Sequence, residues 1–287
     1  MTTTLPLLVA HDGSADAERA LRWAAAESLR AHVPVRVLMV DEVLPPPWGG
    51  APGWAPMTGS LQVPVDEYGH LVDQVRKELA EAGVLDATVQ HRTGHVVDEL
   101  LRAAESSSMV VVGSHGHGAA AEVLIGSVSQ HLARHARCPV VVVREQRDPD
   151  ARRIVVGIDG SRPSTEALEL AFERAEATGE TVVALHGWHV RVPSTDVWNA
   201  EPRSVETQER ELLLAECVAG VRAEHPDVAF EQEAVPVAPA RALVDASAGA
   251  SLVVVGARGL GFFSGLLLGS VSQAVLHRAA CPVVVVR

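Results

Sequence analysis

The residues best suited to chemistry in this chain are a set of glycines and serines that occurs twice. Val110 to Arg144 carries Gly113-x2-Gly116, then nine residues, then Gly126-Ser127. Val253 to Arg287 carries Gly256-x2-Gly259, then nine residues, then Gly269-Ser270. The copies align without a gap at an offset of 143, and 21 of the 37 aligned positions between Ser108–Arg144 and Ser251–Arg287 are identical. Glycine at the end of a strand lets backbone amides approach a ligand closely. A helix that opens at Gly-Ser presents free N–H groups and the positive end of its dipole, which suits an anion. Ser127, Ser129, Ser270 and Ser272 would add hydroxyls, whereas Val128 and Val271 offer only their amides. Amides and hydroxyls in that arrangement suit a polyphosphate. No G-x4-G-K-[ST] occurs, so there is no P-loop lysine.

The elements that position these residues read as alternating strands and helices. Leu5–Ala10 is a short apolar run ending at His11-Asp12-Gly13-Ser14, and Ile154–Ile158 is its counterpart, ending at Asp159-Gly160-Ser161 at an offset of 147. Runs without alternation predict strands buried on both faces. Ser14 is a predicted helix N-cap. Each half reads β-α-β-α-β-α-β-α-β, the signature of a doubly wound parallel sheet with right-handed crossovers. If the first and fourth strands are neighbours, Asp12 meets Gly113 and Asp159 meets Gly256 at the topological switch point, where open α/β sheets bind ligands. Expected domains are 1–144 and 154–287, joined by the charged linker 145–153. The stretch 42–64, rich in proline and glycine with Trp48 and Trp54, is expected to be irregular, either a lid or partner surface or an insertion. Trp188–Arg203 is expected to be a second irregular loop. The VVVV runs before Arg144 and Arg287 are expected at sheet edges, where an apolar strand invites pairing.

Composition removes several classes. The chain has 287 residues, 47% hydrophobic and 21% charged, which suits a soluble globular protein of about two domains. A net charge of −12 offers no basic excess for duplex DNA or an anionic membrane. Neither a signal peptide nor a membrane span is read from the sequence, so the expected location is cytoplasmic. The three cysteines, Cys138, Cys217 and Cys281, form no CxxC pair and are expected to be structural thiols. His115, His117, His131 and His135 cluster in the first half, but their counterparts are Arg258, Leu260, Ala274 and Arg278, so a metal site is not favoured.

The pattern G-x2-G-x9-G-[ST] after a D-G-S strand end resembles the universal stress protein family, in its tandem two-domain actinobacterial form and its ATP-binding branch. The resemblance implies two α/β domains, each a five-stranded parallel sheet of order 3-2-1-4-5 with helices on both faces. It implies ATP, with Mg²⁺, at the carboxyl ends of the strands. Adenosine would lie by Ala10, Asp12 and Val40, with Gly157, Asp159 and Gly187 as equivalents. Ribose and α-phosphate would meet Gly113 and Gly116, and Gly126, Ser127, Val128 and Ser129 would take the outer phosphates. Gly256, Gly259, Gly269, Ser270, Val271 and Ser272 repeat the set. Arg258, facing phosphate, stands where the first half has His115. Glu122, opposite Gly265, would repel a triphosphate, so the second site is expected to dominate. Family members dimerise through the last strand; here the halves would form an internal pseudo-dimer, with a homodimer of whole chains as a further assembly. No catalytic set is repeated. The expected function is an ATP-binding regulator of a stress response acting on a protein partner. A slow Mg²⁺-dependent ATPase or phosphotransferase and a nucleotide-free interaction scaffold are the alternatives.

Overall fold

The computed structural model describes residues 4–42, 65–116, 125–189, 202–260 and 267–287. The tryptophan-containing stretch 43–64, His117, Glu122, Gly265 and positions 190–201 lie outside the described residues.

The first half runs β1 (Leu7–Ala10), α1 (Ala15–Ala31), β2 (Val35–Glu42), α2 (Val65–Glu81), β3 (Ala87–Gly94), α3 (Val96–Ala104), β4 (Met109–Gly113), α4 (Ser127–His135) and β5 (Val140–Val143). The second runs β6 (Arg153–Gly157), α5 (Arg162–Thr178), β7 (Thr181–Gly187), α6 (Pro202–Glu224), β8 (Phe230–Val235), α7 (Pro239–Ala246), β9 (Leu252–Gly256), α8 (Ser270–Arg278) and β10 (Val283–Val286). β6 begins one residue inside the expected linker. The Arg153 carbonyl there accepts from the Ser251 amide at 2.9 Å, and its guanidinium meets Glu231 and Glu233 at 2.8 Å each.

Each half has the parallel order 3-2-1-4-5, and the halves merge into one ten-stranded sheet, β3-β2-β1-β4-β5-β10-β9-β6-β7-β8. The VVVV strands are the edges of their own half-sheets and pair the two halves with each other, as expected for an internal pseudo-dimer. β5 and β10 pair antiparallel, Val284 opposite Val141, so each covers the other's apolar edge, and the outer edges are β3 and β8. Since an unpaired valine edge would expose a row of backbone groups and apolar side chains, this join removes it. One face of the sheet packs α1, α2, α5 and α6 around residues such as Leu21, Leu79, Phe172 and Leu214. The other packs α3, α4, α7 and α8 around Leu100, Leu132, Leu243 and Val275. Both cores run across the join.

Reciprocal contacts lock the two halves. Arg144, just past β5, donates to the carbonyls of Ala279 (2.8 Å) and Leu276 at the end of α8. Arg287, just past β10, donates to the Ala133 carbonyl near the end of α4 at 3.2 Å. A cation at a helix C-terminus satisfies orphan carbonyls and complements the dipole, typically by about 0.3–1 kcal/mol when exposed and more when part-buried. Across the same join, α1 meets α5 through Glu27 and Arg174, which occupy equivalent repeat positions with opposite charge. Arg174 also stacks on Trp23, 5.2 Å from the ring centroid, and approaches Glu180 at 3.8 Å.

The Glu27–Arg174 pair is largely buried, with side chains 8% and 17% exposed. Arg174→Glu would gather three carboxylates, those of residues 27, 174 and 180, at the join. It should lower unfolding free energy by about 3 kcal/mol or more, read as a lower denaturant midpoint, while Arg174→Leu should cost clearly less. Equal losses would show that the charge pattern does not matter there.

Candidate functional site

The first loop of each half is shaped by a close approach. β4 lies between β1 and β5, and β9 between β6 and β10. Gly113, ending β4, abuts the first turn of α1 so closely that a Cβ would sit 2.7 Å from the Asp16 carbonyl carbon. At Gly256 the neighbour is Pro163, with its Cβ at 2.8 Å and its carbonyl carbon at 2.9 Å. Only glycine lets the strand end meet the helix start this tightly.

Asp159 then ties two loops together. Its Oδ1 accepts from the Ser161 amide (3.0 Å) and hydroxyl (2.6 Å), and its Oδ2 accepts from the Leu260 amide at 3.0 Å. Gly259 lies directly beneath that Oδ2, which takes the place a Cβ would fill. The first half repeats the clasp: Asp12 Oδ1 accepts from the Ser14 amide at 3.0 Å, and its Oδ2 covers Gly116 in the same way. Ser14 also caps α1, accepting from the Ala17 amide at 3.2 Å, as its position predicts.

The last helix of each half starts at the floor of this loop. The Gly126 amide donates to the Ser114 carbonyl, and the Gly269 amide to that of Ala257, both at 2.7 Å. Ser129 is buried and donates to the Gly113 carbonyl at 2.7 Å; Ser272 is buried and donates to the carbonyls of Ala257 and Gly269 at 2.9 Å each. These two hydroxyls therefore pin the helix to the strand end. Ser127 and Ser270 are exposed instead. The first intrahelical bonds are Gln130 to Gly126 and Gln273 to Gly269, and neither N-cap glycine supplies a side-chain acceptor. The amides of the first turn thus open outward at the positive end of each dipole.

Two cavities result. One, of about 450 Å³, is lined by Ala10, Asp12, Val40, Gly113, His115, Gly116, Gly126, Ser127, Val128 and Ser129. The other, of about 430 Å³, is lined by Gly157, Asp159, Gly187, Gly256, Arg258, Gly259, Gly269, Ser270, Val271 and Ser272. Every residue that the family resemblance assigns to the nucleotide lines one or the other. Both volumes suit a small-molecule ligand. Because β5 and β10 are antiparallel, the carboxyl ends of the two half-sheets point in opposite directions, and the cavities open at opposite ends of the sheet.

Sequence reasoning missed the apolar wall of each cavity: Leu38, Val96 and Leu100 in the first, Leu185, Pro239 and Leu243 in the second. Leu100 and Leu243 hold one repeat position, at the same offset of 143 as the glycines, so the repeat itself carried that signal. Asp16 was also missed. Its Oδ2 accepts from the Ser114 hydroxyl (2.6 Å) and the His115 amide (2.9 Å) and faces His115 Nδ1 at 3.1 Å, while Oδ1 pairs with Arg19. Burial works against its charge, but the bonds from Ser114 and His115, with the Arg19 charge, outweigh it and hold the carboxyl below its ordinary value.

Elsewhere, His131 and His135 stack 6.0 Å apart, and no three metal-ligating side chains gather among the described residues. Burial pushes the Cys281 thiol up to about 12 and raises that of Cys138, as fits packed thiols. No described helix is long and apolar enough to cross a membrane.

The family model described as "Universal stress protein family" matches residues 4–144 and again 151–287. This chain belongs to the universal stress protein family. It is a tandem member: the universal stress protein Rv2005c of Mycobacterium tuberculosis is 37% identical over 293 residues, covering 98% of this chain and 96% of the relative. A universal stress protein of Mycolicibacterium smegmatis is 36% identical over 296 residues, covering 99% and 98%. The crystal structure of a universal stress protein from Archaeoglobus fulgidus superposes with a TM-score of 0.67 at 21% identity, covering 100% of this chain and 99% of that one, which supports the shared fold.

Two measurements check this geometry. Gly256→Ala, driven into the backbone of Pro163, should cost about 1–3 kcal/mol in denaturant unfolding, whereas Gly269→Ala, whose nearest neighbour would be 3.4 Å away, should cost much less. Asp16 titrates lower folded than unfolded, so its contribution is present at neutral pH and is lost as pH falls through its ordinary value of 3.8 and below. The stability gap between the parent chain and Asp16→Asn should therefore shrink between about pH 5 and pH 2; a gap that stays constant would contradict the assignment.

Proposed function

We propose that the cavities are adenine-nucleotide sites, that ATP with Mg²⁺ is the ligand of at least the second, and that the protein is a nucleotide-dependent regulator of a stress response. The observation that carries this reading is the duplicated cradle. Each cavity joins an apolar slot at the strand ends to a helix N-terminus with exposed amides and serine, the arrangement that receives a phosphate chain beside a base. The family's ATP-binding pattern, present in both halves, supports the same ligand.

Asp12 and Asp159 already accept backbone amides. A Mg²⁺ ion would accordingly be held mainly by phosphate oxygens and water, as this ion commonly is. In our reading the protein binds and signals rather than catalyses. Asp12 and Asp159 hold loops through backbone amides, a structural task. Nucleotide would act by tightening the glycine loops, changing the surface offered to a protein partner in the cytoplasm. The net charge of −12 speaks against nucleic acid or membrane as that partner.

The slow-hydrolysis alternative has a distinct signature: turnover that requires Mg²⁺ and is abolished by Asp159→Asn. For the binding reading, calorimetric titration with ATP and Mg²⁺ should give saturable binding, with Gly269→Asp losing more affinity than Gly126→Asp. A carboxylate at either position faces the phosphate end, but the second cavity supplies the extra cation Arg258. Equal losses would overturn the ranking. No binding by the parent chain would favour the scaffold alternative.

A further inference from the structure

The two cavities share a plan but not a charge. At the third position of the glycine loop the second cavity has Arg258, exposed, with neither its guanidinium nor its amide engaged among the described residues; only its carbonyl is used, accepting from Ser161 at 3.4 Å. The first cavity has His115 there. Its amide is already donated to Asp16 and its ring Nδ1 lies against the same carboxylate. The residue before it differs too: Ser114 donates its hydroxyl to Asp16, and Ala257 has none to donate. Beneath the strand end, the first half places the carboxylate of Asp16 where the second places Pro163, which bears no charge.

The surrounding arginines sharpen the contrast. Arg144 and Arg287 hold equivalent positions past the last strands. Burial lowers the Arg144 group, and the neighbouring Cys281 and then Asp16 work against that. Arg287 is lowered by burial and further by the neighbouring charge of Arg258. Arg258, exposed at the rim of the second cavity with a second cation near it, favours an anion of high charge. In the first half the Asp16 carboxylate, paired with Arg19, takes the His115 loop amide that a phosphate oxygen would use, and no arginine stands at the third loop position.

Resting on the nucleotide reading above, we propose that the two cavities take adenine ligands of different charge: the Arg258 cavity a nucleoside di- or triphosphate, the Asp16–His115 cavity a nucleoside or a nucleoside monophosphate, cyclic monophosphates included. The chain then reports two different members of the adenine pool at opposite ends of one sheet. Asp16, His115 and Arg258 are the residues that set the difference.

The test uses the full, nucleotide-stripped chain. Gly126→Asp leaves the Arg258 cavity intact, and Gly269→Asp leaves the Asp16–His115 cavity; each is checked for a parental circular dichroism spectrum and titrated with ATP, AMP and adenosine. The Gly126→Asp chain should bind ATP about tenfold or more tighter than AMP, and the Gly269→Asp chain should bind AMP at least as tightly as ATP. Adding Asp16→Asn to the Gly269→Asp chain should raise its ATP affinity several-fold. In the otherwise unaltered chain, which secures the test if a glycine variant misfolds, Arg258→Ala should weaken ATP about tenfold and leave adenosine unchanged. The same ATP-to-AMP ratio in both cavities, or an Arg258→Ala chain that binds ATP normally, would overturn the assignment while leaving the nucleotide reading in place. Failure of the parent chain to bind any of the three would overturn both.

Discussion

Everything at these sites depends on how closely the end of the fourth strand of each half approaches the first helix. With no Cβ at Gly113 or Gly256, the strand end rests on the first turn of α1 or α5. The loop that follows can then pass under the aspartate of the first loop, again only because Gly116 and Gly259 leave room for the carboxylate. Each aspartate fills that room; Asp159 joins the two loops through the amides of Ser161 and Leu260, and Asp12 accepts from the Ser14 amide. Once the loops are fixed, the last helix has one place to begin, held by Ser129 or Ser272, and its first amides face the cavity. A strand–helix contact made through glycine thus sets a helix N-terminus at each cavity, where an anion is proposed to bind.

The second organising contact joins the halves. Two short valine strands that would be hazardous edges alone are safe when paired with each other. The pairing reaches the helices as well, because Arg144 and Arg287 cross the join to close the C-termini of α8 and α4. The N-termini of those same helices carry the cradles. Pseudo-symmetry is then broken where it matters chemically. Glu27 faces Arg174 across the join, and Asp16 with His115 stands opposite Pro163 with Arg258 in the repeat. Equivalent positions carrying different charges make the chain a pair of related but unequal halves.

Much of this was legible in the sequence. Apolar runs ending at an Asp-Gly-Ser turn placed β1 and β6, runs ending at glycine placed β4 and β9, and the repeat located both glycine loops, since spacing within a strand–loop–helix unit is a local property. What stayed hidden depended on distant partners. Asp16 reads as an ordinary first-turn acid until β4 is laid beside β1, a pairing about a hundred residues away in sequence. The closing arginines read as strand-end charges, since the carbonyls they meet belong to the other half. The paired serines looked equivalent, yet residues two apart on a helix point about 200° from each other. One of each pair therefore faces solvent while the other faces the strand end. The union of the halves through their last strands was expected from the family resemblance, whereas the antiparallel register, Val284 opposite Val141, is a tertiary outcome that no local pattern specifies.

The central claim is that the helix N-termini at Ser127 and Ser270 are where phosphate is bound. The most direct measurement is the amide chemical shift of the glycine and serine residues in ¹⁵N-labelled protein, recorded during titration with ATP and Mg²⁺. The account predicts saturable shifts at Gly269, Ser270 and Val271, together with Gly256 and Gly259, at the lowest nucleotide concentrations. Perturbations confined to other parts of the chain, or no shift at these amides at saturating nucleotide, would contradict it.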